Sequence, residues 1–453
     1  MLNLSPALLC PIDGPALNYA NEMIQFIDQS PSPFHAVEQS RKTLIAAGYK
    51  ELSELDSWEG RLKPGSSYFV CRGGGSLIAF KLGTAALAEA GAKLVGAHTD
   101  SPNIRLKPRL AKGAHGHMLF DVEPYGGLLM ATWTDRDLAV AGRVLVKDPT
   151  NPQGRKSLLV DSESAVCRIA NLAIHLNRTA NTDGLKLNKH SHFSPIVGQL
   201  GNLVKEGETP AEVALNWIAS LAKCEAQDIV GHDLCLYDAQ KGSIIGLDQA
   251  YIQIGRLDNL ASCYHGLTAL IEQGDQKTAN YTQMLCLFDH EEVGSCSARG
   301  AKSTFLGDVL SRLCGGTGEP LSRCIQKSYQ VSADMAHALH PNYSDLHDGT
   351  HQPLMNHGPV IKNNVNTRYA TDGDTSAVFR EACAAVGIQA QEFVNRPDLA
   401  CGSTIGSLTA ALLGLATVDV GNPMWSMHSA REMAGVADQV LMHRALSAFY
   451  KSS

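Results

Sequence analysis

The sharpest change of pattern along the chain is an unbroken apolar run at 284–288, Met-Leu-Cys-Leu-Phe, followed at once by Asp289, His290, Glu291 and Glu292. A run of that length predicts a strand buried on both faces and therefore central in a sheet. Ionisable groups at its carboxyl end are costly in apolar surroundings unless something binds or pairs them, and strand ends are where open α/β sheets carry their chemistry. The same sequence of apolar run and polar end recurs. The run at 92–97 delivers His98, Thr99 and Asp100; a strand at 328–333 ends at Asp334; a strand at 251–255 leads to Asp258 ahead of helical spacing from 259 to 271; a strand at 416–420 precedes His428.

Elsewhere, apolar positions at helical spacing predict helices over 16–28, 34–47, 376–386 and 432–449, and a hairpin of strands 68–71 and 77–81 around Gly73, Gly74 and Gly75. Between 103 and 245 the texture changes. Basic and glycine-rich segments alternate with short strands at 118–122, 142–147 and 157–160, followed by helical patterns at 166–176 and 211–222, and the segment 238–248 leads back. The expected architecture is α/β: a central mixed β-sheet flanked by helices, built from residues 1–102 and 246–453 and interrupted by an inserted β-rich domain at 103–245. A lid and an oligomerisation module both fit the insertion.

Composition narrows the function. A chain of 453 residues with 44% hydrophobic content has room for a large core. A net charge of -7 argues against a general nucleic-acid binder and offers no polybasic patch for a membrane surface. No apolar stretch reaches the roughly 18 residues of a membrane span. The start of the chain, broken by Pro6 and Pro11 with no basic residues ahead of its apolar stretch, does not read as a signal peptide. Twelve cysteines, scattered from Cys10 to Cys401 without a CxxC pair, read as reduced thiols of a cytoplasmic protein.

Taken singly, each polar residue at an element end has a plain structural explanation. His98 and Asp100 suit a hydrogen-bonded pair, Asp258 suits a helix N-cap, and the glutamates suit an acidic turn. Together, His98, Asp258, Glu292, Asp334 and His428 are two imidazoles and three carboxylates expected along one rim of a sheet. With one bridging aspartate and two further ligands per ion, they make two sites of the nitrogen and oxygen type that Zn, Mn or Co accept. Paired ions about 3.5 to 4 Å apart suit hydrolysis, since they polarise a carbonyl and acidify a water. Glu291 is then left over as a base, and Asp100 is placed to orient a metal-binding neighbour rather than to bind.

The segments GAHTDSP, GRLDNLASC, FDHEEVGS, SADMAHALHPNY, GPVIK with RYAT, and MHSARE, with SPSPFHAV near the start, resemble the aspartyl aminopeptidase family of dinuclear metallopeptidases, in order from about 31 to 433. The resemblance implies a zinc-exopeptidase-like fold interrupted by a dimerisation domain, a homo-oligomer that is a dodecamer built from dimers, and two Zn2+ per subunit, with Co2+ or Mn2+ as substitutes. It implies removal of N-terminal acidic residues from peptides. By analogy His98 and Asp334 hold one metal, Glu292 and His428 the other, and Asp258 bridges; Asp100 supports and Glu291 is the general base. His340, Lys362 and Tyr369 fall on substrate-contacting positions, and His175 on a histidine supplied by a neighbouring subunit. The sequence departs from the family pattern at Ala170 and Asn171, where Pro and His are expected, and at His290, where Asn is usual; Asp372 and Asp374 near the pocket could weaken an acidic preference. A broad aminopeptidase or N-deacylase of related fold is the alternative, and a non-catalytic assembly or cargo scaffold is another, against which the intact ligand set with Glu291 argues.

Overall fold

The computed structural model describes residues 12–275 and 279–452; the start of the chain, with Cys10, lies outside the described residues. The expected central strand spans Thr282–Phe288, with every residue buried. Its side chains alternate between two cores: Leu285 and Leu287 join one, Met284, Cys286 and Phe288 the other. Each such side chain, withdrawn from water, contributes about 1.5–3 kcal/mol before the entropy of ordering is set against it.

Around this strand lies a nine-stranded mixed sheet in the order Lys50–Leu52, Ser67–Arg72, Ser76–Lys81, Thr282–Phe288, Ala92–His98, Tyr329–Ala333, Ala416–Gly421, Val360–Asn363 and Gln391–Val394. The four strands from Thr282–Phe288 to Ala416–Gly421 run parallel to one another, so their carboxyl ends share one edge. Phe288 stands opposite His98, which brings the first two polar ends side by side. Helices Gly14–Asp28, Leu257–Glu272, Gly373–Ala385 and Val436–Lys451 cover one face. Helices Phe305–Leu313, Glu319–Gln326 and Ile405–Leu413, none of them anticipated, pack on the other.

Residues 103–238 supply a separate six-stranded antiparallel sheet, in the order Arg155–Asp161, Leu138–Lys147, Ile229–Asp238, Asn103–Ala114, His117–Tyr125 and Ile196–Gln199. Its own core includes Phe120, Val144, Leu236 and, from the helix Pro210–Ala222, Ala214 and Ile218. A five-stranded sheet, Ser243–Ile245, Tyr251–Ile254, Glu432–Gly435, Pro423–Trp425 and Ala336–His337, lies at the rim.

Two expected helices are corrected. Residues 166–176 form bridges instead, Cys167 to Leu138, Arg168 to Ile196 and Ile169 to Thr134, before a 3-10 turn at Ile174–Leu176. The last helix begins at Val436 rather than 432, because Glu432–Gly435 is drawn into pairing with Tyr251–Ile254. Eleven cysteines are described, all of them free thiols. Among the described residues no helix is long and apolar enough to cross a membrane.

Candidate active site

The parallel strands end where the sequence places its polar residues. His98 closes Ala92–His98, Glu291 and Glu292 sit on a 3-10 turn just past Thr282–Phe288, and Asp334 follows Tyr329–Ala333. Asp258 occupies the first turn of Leu257–Glu272 with non-helical dihedrals and a cis peptide bond to Asn259. His428 arrives from the rim, after Pro423–Trp425, in the left-handed region at φ 69°. All six line one cavity of about 410 Å3.

Within it, Asp258 stands between the two imidazoles. Its Oδ1 is 3.3 Å from His98 Nε2 and its Oδ2 is 3.3 Å from His428 Nε2. Each histidine faces one further carboxylate: Asp334 Oδ1 at 3.4 Å from His98 Nε2, and Glu292 Oε2 at 3.4 Å from His428 Nε2. Nδ1 of His98 donates to the Asp100 carbonyl at 2.9 Å, and Nδ1 of His428 to the Gly127 carbonyl at 3.1 Å. A carbonyl only accepts, so both rings carry a proton on Nδ1 and, when neutral, turn an Nε2 lone pair toward carboxylate oxygens. That is lone pair against lone pair unless a proton or a metal ion lies between.

Three observations fit a metal. Asp258 Oδ1 and Glu292 Oε1 are buried and accept no hydrogen bond among the described residues. His98, Asp258 and Glu292 each offer a ligand atom within 4.8 Å of the others. The 3.3–3.4 Å spacings match tetrahedral zinc ligands, which at about 2.0–2.1 Å from an ion lie about 3.3–3.4 Å from one another.

Two buried carboxylates hold the backbone around this cluster. Asp100 accepts the N–H groups of Glu291 and Glu292 at 3.0 and 3.1 Å, and the Tyr125 hydroxyl, from the six-stranded sheet, donates to its Oδ2 at 2.7 Å. Glu432 accepts the N–H of Asp258 at 3.1 Å and that of His428 at 2.8 Å. Neither Glu432 nor Tyr125 was singled out in the sequence.

The electrostatics follow from this crowding. Burial opposes the charged form of His98, yet Asp100, Asp258 and Asp334 raise its pKa well above the ordinary value. His428 is likewise opposed by burial and lifted by Asp258, to about 9. Burial, with neighbouring Asp334, Asp100 and Asp258, raises Glu291 to about 8 and outweighs the lowering by His98. Glu292 is raised well above the carboxylate range by burial and then Asp258. Asp258 goes the other way: burial is outweighed by its two histidines.

Lys362 and Tyr369 line the same cavity. Lys362 is buried, with Nζ 3.3 Å from Asp334 Oδ2, 3.1 Å from the Met335 carbonyl and 5.3 Å over the Tyr369 ring. His340 is not brought to this wall; it packs on Tyr343 and Trp425 and lines an adjoining cavity of about 300 Å3. His337, which belongs to the strand Ala336–His337, lines both. His175 lies away from the cavity on an exposed turn flanked by Leu172, Ile174 and Leu176, also exposed. The departures have local partners. His290 Nε2 accepts from Arg299 and its Nδ1 donates to Ser297, and Asn171 bonds Thr134 and Asp135. Asp372 caps the helix Gly373–Ala385 through the Thr375 N–H, and neither it nor Asp374 lines the cavity.

Known proteins match along almost the whole chain. The profile of the aminopeptidase I zinc metalloproteases, M18, matches residues 26–450. A protein of Ectopseudomonas mendocina named "Probable M18 family aminopeptidase 2" is 45% identical over 432 residues, 95% of this chain and 97% of that one. Among solved structures, a chain from the cryo-EM structure of the Ape4 and Nbr1 complex superposes with a TM-score of 0.92 at 37% identity, covering 96% of this chain and 86% of that one. The S. cerevisiae mApe1 dodecamer superposes with a TM-score of 0.82 at 31% identity, covering 95% and 96%. A cluster whose chemistry calls for a cation thus sits in a chain whose relatives are zinc peptidases over nearly their full length, and the chain belongs to the M18 family of zinc metalloaminopeptidases.

Proposed function

We propose that the protein removes N-terminal residues from peptides at a site for two metal ions, zinc in the first instance, and prefers acidic residues. The observation that carries this reading is the placing of Asp258, with one oxygen toward each histidine and a further carboxylate beside each. His98 and Asp334 would then hold one ion, Glu292 and His428 the other, and Asp258 would be shared between them. Zinc at such a site supplies Lewis acidity, polarising a carbonyl and lowering the pKa of water toward neutrality.

The remaining roles fall to the chain. Glu291 reaches the cavity with Oε2 3.9 Å from His98 Nε2, farther than the proposed ligands. It takes the proton of the attacking water and returns it to the leaving amide nitrogen. Asp100 fixes the turn that carries Glu291 and Glu292. Lys362 offers the cation for a side-chain carboxylate of the substrate, with Tyr369 on the same wall. His337 takes the place that the sequence assigned to His340.

Residues 103–245 are read as an inserted dimerisation domain between 1–102 and 246–453; support comes from the separate sheet and core. The dodecamer of the yeast relative mApe1 supports a homo-oligomer of that size here. The exposed Leu172, Ile174 and Leu176 around His175 suit an interface through which His175 enters a neighbour's pocket. Free thiols throughout the described chain agree with a cytoplasmic setting. Rates on Glu, Asp, Leu and Lys p-nitroanilides and on acetylated amino acids test the reading. Faster cleavage of the acidic anilides supports it; preference for Leu makes this a broad aminopeptidase, and action on the acetylated substrates alone makes it a deacylase.

A further inference from the structure

We infer that Glu432 is a positioning residue of the metal centre, the counterpart for Asp258 and His428 of what Asp100 is for Glu291 and Glu292. The inference rests on the metal-site reading above. Glu432 is 1% exposed and does not line the cavity, so it touches neither substrate nor the reacting atoms. What it touches is backbone. One carboxylate oxygen takes the His428 N–H at 2.8 Å, and the other takes the Asp258 N–H at 3.1 Å.

Those two N–H groups belong to segments far apart in sequence, and both segments have irregular backbone. His428 lies at φ 69°, and Asp258 at φ -82°, ψ 103° inside an otherwise helical run. A residue bound at its side chain and free at its backbone can swing; one gripped at its N–H as well cannot. Glu432 is itself anchored, since it stands opposite Ile254 in the pairing of Glu432–Gly435 with Tyr251–Ile254. The strand thereby sets the distance between Asp258 and His428, whose oxygen and nitrogen are 3.3 Å apart. With Asp100 included, two carboxylates grip the N–H groups of Asp258, Glu291, Glu292 and His428. Only a carboxylate can accept from both segments at once, because an amide would turn an N–H donor toward one of two donors.

The test compares the parent protein with Glu432→Gln and Glu432→Asp. Zinc affinity is measured by titrating metal-free protein with zinc against a chromophoric chelator, alongside the melting temperature of each metal-free protein and kcat and KM at saturating zinc. The expected result for Glu432→Gln is zinc binding about 10- to 100-fold weaker, the usual loss when a partner that orients metal ligands is removed. kcat should fall, KM should stay within about twofold because no substrate contact is lost, and the metal-free melting temperature should hold. Glu432→Asp keeps the charge but reaches only one of the two N–H groups, and should fall between. Zinc affinity and kcat within twofold of the parent in Glu432→Gln, or a drop in metal-free melting temperature with zinc affinity unchanged, would overturn the inference. Failure of both variants to fold would assign Glu432 to the scaffold and overturn it as well. A parent protein that binds no zinc would instead sink the metal-site reading itself.

Discussion

Lys362→Met separates acidic preference from catalysis. Methionine keeps the length and apolar stem of a buried side chain and deletes its charge. Lys362 Nζ lies on the cavity wall and has two hydrogen-bond partners among the described residues, Asp334 Oδ2 at 3.3 Å and the Met335 carbonyl at 3.1 Å. An ammonium has three protons, so one remains for a substrate carboxylate. A hydrogen bond to a charged group contributes about 1.5–3 kcal/mol; at about 1.4 kcal/mol per decade, losing it lowers kcat/KM on a Glu p-nitroanilide by about 10- to 150-fold. The Leu analogue never makes that bond, and its kcat/KM should move by less than about threefold. The assay is kcat/KM on both anilides at saturating zinc, with zinc content measured on the same samples. Equal losses on the two substrates would refute the reasoning, because Lys362 would then act through Asp334 and not through the substrate side chain.

A mixing experiment tests the shared site: His175→Ala and Glu291→Gln chains, each nearly inactive alone, should regain measurable hydrolysis once co-assembled, since an interface can then combine a good histidine from one chain with a good base from the other. Mixed oligomers without recovery would return His175 to a structural role. A third prediction concerns acid. His265 is fully buried among Tyr19, Gln439 and Asn422, and burial, then His443, lowers its pKa to about 3. A histidine depressed below its ordinary value of about 6.5 contributes fully above that pH and loses the contribution as pH falls toward 3, about 2 kcal/mol by pH 5. His265→Gln should therefore narrow the difference in melting temperature between pH 7.5 and pH 5; an unchanged difference would mean that another group sets the acid limit.

How much was legible in the sequence depended on whether local pattern and tertiary context agreed. The buried strands were legible because a continuous apolar run such as Met284 to Phe288 has few other uses, and His98, Asp258, Glu292 and Asp334 stand at or just past ends of elements read this way, whereas His428 follows the short rim strand Pro423–Trp425, which the pattern does not show. Residues 166–176 misled because Val166, Ile169 and Leu172 mimic a helical stripe, whereas within the chain only Cys167 and Ile169 are buried, and both are held by bridges. Glu432 was in view within MHSARE, but good helix formers beyond it hid the four-residue strand that Tyr251–Ile254 recruits. His337 and His340 lie three residues apart, and only the short rim strand settles which of them reaches the cavity. The contacts of Tyr125 with Asp100 and of Gly127 with His428 join segments far apart in sequence and leave no local signal.

The most direct measurement is zinc per chain, by elemental analysis after equilibrium dialysis, followed on the same sample through chelation and stepwise return of metal while hydrolysis of a Glu p-nitroanilide is recorded. Two ions per chain are expected, with hydrolysis lost on chelation and restored as the sites refill, because Asp258 presents an oxygen to each of two histidine and carboxylate pairs. Full activity at one ion per chain, or in protein free of metal, would contradict the account.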